Sequence, residues 1–118
     1  MSEKVLLWVG SSLRDMREFP EDARQRAGYQ LYRLQLGDDP DDWKPMATVG
    51  RGVREIRIHT GDAYRIFYVA SFSEGVYVLH AFQKKSKAGA QTPKPDIDLV
   101  RTRLKVAKDH HDELMEDK

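Results

Sequence analysis

Apolar and polar residues alternate through the middle of the chain, in the pattern of three neighbouring β-strands. Successive side chains of a strand point to opposite faces, so this alternation is typical of strands with one covered face. Only a few residues separate the three runs, which favours antiparallel pairing. The runs lie at about 53–59, 63–71 and 75–82, and are joined by Gly61-Asp62 and by Ser73-Glu74-Gly75.

One strand and two helices are predicted before these strands. The apolar run Val5–Val9 has the length of a strand. Ser12 and Asp15 have the spacing of a capping box, which predicts a short helix. A second helix begins at Pro20 and stops at Gly37, because proline suits the first turn and glycine follows the last. Its apolar stripe consists of Ala23, Ala27, Leu31 and Leu34. This stripe predicts that the two helices form a hairpin lying on the sheet.

The rest of the chain is predicted to add loops and one further helix. Residues 38–52 are rich in Asp, Pro and Gly, and are predicted to form a loop held down by Trp43 and Met46. The last helix begins at Pro95-Asp96 and has an apolar stripe that starts at Ile97. The predicted order is β-α-α-β-β-β-α. This is an α+β fold, in which a helical hairpin packs on a small, twisted, mainly antiparallel sheet and a C-terminal helix follows.

The length of 118 residues is enough for a single domain with its own hydrophobic core. We divide the chain into a domain at 1–108 and an acidic C-terminal tail at 109–118. The chain has no cysteine, which excludes disulfides and thiolate chemistry. Its apolar runs are too short to cross a membrane or to form a signal peptide, so a cytoplasmic protein without membrane contact is expected.

Charge is segregated along the chain, although the formal net charge is only +1. Residues 44–108 hold thirteen basic and five acidic residues. Acidic residues are concentrated in the loop at 38–42 and in the tail. A basic half within a nearly neutral chain is typical of proteins that bind polyanions, although the solvated faces of helices are charged as well.

The clearest indication of function is a set of cations on the predicted strands. Arg57 and Arg65 lie on two consecutive strands, and the third strand runs into the lysine-rich segment 84–87. Cations held against an apolar sheet lose hydration, so an anion is expected to pair with them, and a phosphate chain fits best. Two other interpretations remain. In the first interpretation, Glu55 bridges the two arginines in a structural ion pair. In the second, the lysines are ordinary solvated loop residues.

The ordered combination of these strands resembles the RelE/ParE superfamily of toxin–antitoxin toxins, and most closely its HigB-like, phage-derived branch. The similarity extends from Val5 to about Ala107, so the domain at 1–108 is identified as a RelE-like toxin domain. The segments that carry the resemblance are Val53–Ile58, Tyr64–Tyr68, Val78–Ser86 and the helix start at Thr92–Ile97.

The resemblance implies an endoribonuclease that needs neither a metal nor another cofactor and cleaves messenger RNA, with the ribosome as the expected place of attack. The RNA's own 2′-hydroxyl is the nucleophile. Such chemistry needs a cation at the scissile phosphate, a proton acceptor and a proton donor. The expected partners are the messenger RNA and a cognate antitoxin, which in this group is often a helix-turn-helix protein.

The same resemblance suggests a role for each candidate residue. Arg65 matches the phosphate-binding arginine, and Lys85 or its neighbour Lys84 matches the basic residue that closes the site. Arg57 replaces a strand lysine, and because arginine stays protonated, proton acceptance falls to Glu55, His59, His80 or a lysine of lowered pKa. The predicted catalytic residues are Arg57, Arg65, Lys85, Glu55 and His59, and the predicted RNA contacts are Arg54, Lys84, Lys87, His80 and Phe82.

One departure from the family pattern leaves the activity open. Well-studied members carry a tyrosine a few residues beyond the basic cluster, but no tyrosine follows Tyr77 here. Phe82 is either a stacking surface for an RNA base or part of the core. The alternative function is therefore a non-catalytic or ParE-like toxin that binds a protein target such as a topoisomerase. His110 and His111 lack further ligands at convincing spacing, so no metal site is predicted.

Overall fold

A computed structural model describes residues 3–72, 75–84 and 92–116, and shows one mixed sheet between two layers of helix. The predicted α+β fold is confirmed. In chain order the elements are β1 (Val5–Trp8), α1 (Ser12–Arg17), α2 (Glu21–Gln35), β2 (Trp43–Pro45), β3 (Val53–His59), β4 (Ala63–Val69), β5 (Gly75–Lys84) and α3 (Lys94–Glu116).

The sheet has five strands in the order β1-β5-β4-β3-β2. The predicted meander of β3, β4 and β5 is antiparallel, and β1 joins β5 as a parallel edge strand. The turn between β3 and β4 contains Gly61 at φ 102°, a left-handed conformation that glycine adopts without steric cost. No helix among the described residues is long and apolar enough to cross a membrane.

The strand β2 was not predicted, and lies within the segment assigned to a loop. It is only three residues long and contains Pro45, so it has no alternating pattern to reveal it. Pairing with β3 places Trp43 beside Ile56, and the guanidinium of Arg54 lies 4.3 Å from the centre of the Trp43 ring. Tertiary contacts with a neighbouring strand therefore decide the conformation of this segment.

The helical hairpin covers one face of the sheet with a mainly apolar core. The four residues of the predicted α2 stripe are all buried there, as the spacing required. From the sheet, this α2-side core takes Ile56 and Ile58 of β3, Tyr64, Ile66 and Tyr68 of β4, and Val76, Val78 and Ala81 of β5.

The start of α1 differs from the prediction in one detail. Ser11 is the N-cap, and its hydroxyl donates a hydrogen bond to the Asp15 carboxylate at 2.7 Å. Ser12 is the first helical residue, and its buried hydroxyl donates to the Val78 carbonyl at 3.1 Å. The capping-box spacing predicted the position of the helix, but Ser12 links the helix to β5 and does not cap it.

The C-terminal helix α3 covers part of the other face. Val100, Leu104 and Ala107 are buried against β3, β4 and β5, as the apolar stripe predicted. The helix continues through the acidic segment as far as Glu116. In that last part, Nδ1 of His110 lies 2.7 Å from the Tyr77 hydroxyl.

A β-bulge in β5 decides which of its side chains face α3. Phe67 pairs with His80 while the next residue of β4, Tyr68, pairs with Val78, so Leu79 is the additional residue. Arg103 of α3 donates a hydrogen bond from Nη1 to the Leu79 carbonyl at 2.9 Å. Beyond the bulge, the alternation of β5 is shifted by one position, which matters for the site.

Candidate anion-binding site

The two strand arginines lie directly opposite each other, on the α3 side of the sheet. Arg57 of β3 and Arg65 of β4 are cross-strand partners in the ladder. Neighbouring side chains across an antiparallel pair are close enough to interact, and like charges in that arrangement repel. A compensating anion is therefore required nearby.

Glu55 supplies that anion for both arginines. Its Oε1 lies 3.4 Å from Nε of Arg57 and 3.7 Å from Nε of Arg65. The side chains of Glu55 and Arg65 are only 3% and 9% exposed, whereas that of Arg57 is partly exposed. Nη1 of Arg65 also donates to the Tyr64 carbonyl at 3.1 Å. The structural ion pair that the sequence left as an alternative is thus present.

Two lysines complete the group, which we call the cation cluster: Lys44, Arg57, Arg65 and Lys84. Lys44 of β2 pairs with Glu55 in the β2–β3 ladder. Lys84 pairs with Ala63 at the end of β5, two residues along the ladder from the pair formed by Arg65 and Phe82. Both lysines are half-buried. Four cations from four strands therefore lie around one buried carboxylate.

The electrostatics of the cluster favour binding of a further anion. Burial lowers the pKa of Arg65, and this effect together with the Arg57 charge outweighs the opposite effects of Glu55 and, more weakly, Asp42. Burial also lowers the pKa of Lys84, and the charges of Arg65, Arg57 and Lys44 act in the same direction. Each shift means that the charged form is disfavoured in this environment. The buried Glu55 carboxylate, with the weaker contribution of Asp42 at Arg65, does not neutralise the four cations of the cluster.

The structure does not bring every predicted site residue to this place. Arg54 lies on the opposite face of the sheet, where Nη1 is 3.2 Å from Oδ1 of Asp39. His59 follows Arg57 on the α3 side, but it is exposed at the strand end, with Nε2 3.7 Å from Oδ2 of Asp42. Lys85 and Lys87 lie outside the described residues, so their predicted roles stay predictions.

His80 and Phe82 lie on the same side of the sheet as the arginines. Nε2 of His80 is 2.7 Å from Oδ1 of Asp96 in the first turn of α3. The Phe82 ring is nearly parallel to the rings of His80 and Phe67, with centroids 4.8 and 6.0 Å away. Phe82 packs on the α3-side core, which supports the interpretation as a core residue and leaves a partly exposed ring beside Arg65.

Sequence reasoning missed Lys44 and Asp96. Lys44 lies in the unpredicted strand β2, and only its pairing with Glu55 gives it a place in the site. Asp96 was assigned only to the start of α3, and nothing in the local pattern connects it to His80, sixteen positions earlier. Within the described ranges, no group of three or more His, Cys, Asp or Glu side chains is arranged to hold a metal ion.

Comparison with known proteins identifies a family that covers most of the chain. The model of the family described as "Phage derived protein Gp49-like (DUF891)" matches residues 14–105, which is more than three quarters of the chain. The matched range contains the whole cation cluster, with Glu55 and Asp96. No curated protein matches the chain.

Proposed function

The chain belongs to the phage-derived Gp49-like family, which lies within the RelE group of toxin–antitoxin toxins, and on this premise we propose that it is a toxin that cleaves messenger RNA. Within the group we assign it to the HigB-like branch. We further propose that it acts in the cytoplasm on ribosome-bound RNA, and that a helix-turn-helix antitoxin silences it.

The observation that carries the proposal is the incomplete neutralisation of the cation cluster. Arg57 and Arg65 share one buried carboxylate, and Lys44 and Lys84 add two further positive charges beside it. A phosphodiester placed between the arginines would supply the missing negative charge. Guanidinium groups suit this role, because their planar arrangement of donors matches two phosphate oxygens.

Catalysis by such a cluster would act on the charge that develops at phosphorus. When the 2′-oxygen gives up its proton and bonds to the adjacent phosphorus, the bond from phosphorus to the 5′-oxygen breaks, and that oxygen leaves with a proton taken from solvent. During this step negative charge increases on the two non-bridging oxygens. Donors already held in place at that point stabilise the transition state more than the ground state. Glu55 contributes by fixing the orientation of both arginines, and its burial between them leaves it poorly placed to accept a proton.

Lys84 is the proton acceptor that we propose. A lysine must be neutral to accept the 2′-hydroxyl proton, and its lowered pKa increases the neutral fraction. The other predicted acceptors are less suitable. His59 is directed to Asp42, and His80 is buried with one ring nitrogen on Asp96. Lys85 remains a second candidate, on the resemblance alone.

Expression in a bacterial host tests the proposal. Wild type, Arg65→Gln and Lys84→Gln are induced separately, and growth and the 5′ ends of cellular transcripts are measured. The matched control is Arg14→Gln, an exposed arginine of α1 whose Nε lies 3.7 Å from Asp15. We expect growth arrest and new transcript ends with wild type and control. For the two cluster variants we expect at least a hundredfold less cleavage, because Arg65→Gln removes a charge at the reacting phosphate and Lys84→Gln removes the proposed proton acceptor.

The possible outcomes separate the proposed function from its alternative. Equal growth arrest by all four proteins would remove the cluster from the mechanism. Arrest with intact transcripts and broken DNA would favour a ParE-like toxin directed at a topoisomerase. Purified variants that lose cleavage but keep the wild-type Tm would show that the loss is not due to unfolding.

A further inference from the structure

The sheet ends in two edge strands of opposite character. The strand β2 carries Lys44 and Pro45, and a charge and a proline are common features that keep an edge from pairing with other chains. The strand β1 consists of Val5–Trp8 and has neither a charge nor a proline. An apolar edge without such protection is open to pairing with a further strand.

The backbone of β1 shows which groups are available for pairing. β1 is parallel to β5, and Val9, which continues β1, donates from its backbone N–H to the Val78 carbonyl at 3.0 Å. Alternate residues of a strand direct their backbone groups to opposite sides, so those of Leu6 and Trp8 point away from β5. None of the described residues forms a hydrogen bond with these groups from the outer side. Two N–H donors and two C=O acceptors therefore line this edge.

The chain itself limits the available edge at both ends. Before it, the Lys4 N–H donates to the Gln35 carbonyl at 2.9 Å, and the Gln35 side chain donates to the Lys4 carbonyl at 2.8 Å. After it, the chain turns at Gly10, which has a φ of 58°. Pairing is thus confined to Leu6 and Trp8, and this restricts the register.

A second copy of β1 satisfies all of these groups in one register. Opposed residues of the hydrogen-bonded type in an antiparallel pair exchange two hydrogen bonds. Leu6 placed opposite Trp8 of the second copy, and Trp8 opposite Leu6, would give every group of the edge a partner. The two-fold axis of this arrangement passes through Leu7. An antiparallel pair of identical strands is symmetric, as a closed dimer requires.

One flank of α3 has a matching arrangement of charge. Arg103, Val106, His110 and Glu113 are spaced by three and four residues, so they form one row along the helix. This row faces β1, because α3 and β1 border a groove of about 210 Å³ that is lined by Leu7, Val106 and His110. Val106 is 52% exposed beside this groove. The row has a cation at one end and a carboxylate at the other.

The middle of this row lies at the level of Leu7. Arg103 donates to the Leu79 carbonyl, and further along the helix His110 contacts Tyr77, so α3 runs antiparallel to β5. Tyr77 is paired with Leu7, and Leu79 lies two positions further along β5. Two strand residues span about 6.6 Å, which is the rise of about four to five helix residues. The level of Leu7 therefore lies about four to five residues after Arg103, at the middle of the row.

The same two-fold axis would place unlike groups of the two α3 helices opposite each other. Arg103 would face Glu113 of the second copy, and Val106 would face His110. Arg103 forms no ion pair with a carboxylate of the described residues, and burial lowers its pKa despite the opposite effect of Asp15. A carboxylate of the second copy would compensate this charge.

We propose that two copies of the chain associate through β1 and form one continuous sheet of ten strands, with the two α3 flanks side by side. A strand of another protein would satisfy Leu6 and Trp8, but the α3 row would then have no matching row. Self-association uses the edge and the row about a single axis. The inference does not depend on the proposed function.

A single cysteine at the axis tests the register, because the chain has no cysteine of its own. In a non-hydrogen-bonded pair the Cα atoms lie about 4.5 Å apart, within the range of a disulfide. With oxidised glutathione, Leu7→Cys should therefore form a covalent dimer on non-reducing gel electrophoresis. The control is Val5→Cys, which is more exposed, although its two copies would lie about 13 Å apart along the strands. We expect at least tenfold slower cross-linking for this control.

The dimer Kd of purified variants, measured by analytical ultracentrifugation, tests the contacts. Leu6→Pro removes an outward donor that a single copy does not use, and edge strands tolerate proline. Val106→Glu buries a carboxylate beside its symmetry mate, and its exposed position should leave the Tm unchanged. For each we expect Kd to increase at least tenfold. The matched control is Met115→Glu, a similarly exposed residue two and a half turns further along α3 and thus on the opposite flank, with wild-type Kd.

Glu113→Lys tests the charge arrangement of the row. In this variant the introduced cation would face Arg103 of the second copy, so the dimer should be weaker than wild type. Salt should weaken the wild-type dimer and strengthen the Glu113→Lys dimer, because screening acts on attraction and on repulsion alike.

The result that would overturn the inference most directly is a wild type that stays monomeric at every protein concentration, which would leave the edge to a strand of another protein. Equal cross-linking by Val5→Cys and Leu7→Cys would overturn it as well. So would a dimer that neither Leu6→Pro nor Val106→Glu weakens, because the copies would then meet elsewhere. None of these measurements uses toxicity or RNA cleavage, so the inference and the proposed function can fail separately.

Discussion

The two faces of the central sheet are built from the same strands but differ in what they can do. On the α2 side, β3 and β4 contribute Ile56, Ile58 and Ile66 to a continuous apolar core. On the α3 side, the same strands are apolar only in part. Val53 and Phe67 are covered, but Glu55 and Arg65 follow as a buried ion pair.

The difference follows from how far each layer of helix extends over the sheet. The buried residues of α3 pack over Val53, Phe67 and Val69, and leave the opposite end of the same strands to charged residues. Buried charges are stable only when paired, which explains why Glu55 lies between the two arginines. A face that a helix covers completely has packing as its main role, while a partly covered face can hold reactive groups and admit a ligand.

Removal of the shared carboxylate should have the largest effect and tests this difference directly. Glu55→Ala leaves Arg65 buried and without its anion, and such a loss typically costs about 3–5 kcal/mol in the free energy of unfolding. Phosphate should reverse part of this cost, because it can replace the missing negative charge. We expect millimolar phosphate to raise the Tm of Glu55→Ala more than sodium chloride of the same ionic strength does.

Ile56→Ala is the matched comparison on the other face. Ile56 is fully buried next to Glu55 in sequence, so its loss should cost about 2–5 kcal/mol through the cavity left behind. Phosphate should raise the Tm of Ile56→Ala no more than sodium chloride of the same ionic strength does. If phosphate rescued both variants equally, the anion would be acting on the whole protein and the distinction between the two faces would be wrong.

Most of the fold could be predicted because its signals are local. The α2 stripe and the alternation of β3 each depend on residues a few positions apart, and both predictions are confirmed. The juxtaposition of Arg57 and Arg65 also follows from a short turn, since the turn sets the register of the two strands.

The remaining features depend on contacts that are distant in sequence. In β5, simple alternation would place His80 and Phe82 on the face of Val76 and Val78, away from the arginines. The additional residue at Leu79 reverses this, and because β5 is apolar on both faces, its pattern gives no sign of the bulge. Lys44 is likewise placed by a three-residue strand that has no pattern of its own.

The contact between His80 and Asp96 marks the boundary between the covered and the open part of the α3 side. Asp96→Ala leaves the buried imidazole without this partner, and a hydrogen bond to a charged group contributes about 1.5–3 kcal/mol. We expect the free energy of unfolding, measured by urea denaturation, to decrease by that amount. RNA cleavage should also decrease, because the start of α3 would no longer be fixed to β5.

Asp98→Ala is the control on the same turn of α3. Asp98 is exposed and pairs with Lys94 at 2.9 Å, an arrangement that contributes only about 0.3–0.5 kcal/mol. If Asp96→Ala and Asp98→Ala lowered the free energy of unfolding by similar amounts, Asp96 would contribute as an ordinary surface charge. The contact with His80 would then not fix the boundary between the covered and the open part of the α3 side.

The smallest expected effect concerns Lys84 and the pH dependence of stability. The folded state holds this lysine at a pKa below the ordinary value of 10.5, so the unfolded chain binds more protons between those two values. The contribution of Lys84 to the free energy of unfolding therefore increases with pH between its pKa in the folded state and its pKa in the unfolded state. Lys84→Gln should remove this rise and give a slightly higher Tm at neutral pH, where the wild type carries a charged ammonium that is partly buried and repelled by the neighbouring cations.

Buried tyrosines titrate in the same range with the opposite sign. Burial raises the pKa of Tyr64 and Tyr68, so the unfolded state loses those protons first and stability falls above about pH 10. The informative quantity is thus the difference between wild type and Lys84→Gln, in which the tyrosines cancel. A difference that does not change between pH 8 and 10.5 would show that Lys84 is not coupled to the arginines. The α3 side would then bind an anion through Lys44, Arg57 and Arg65, without Lys84.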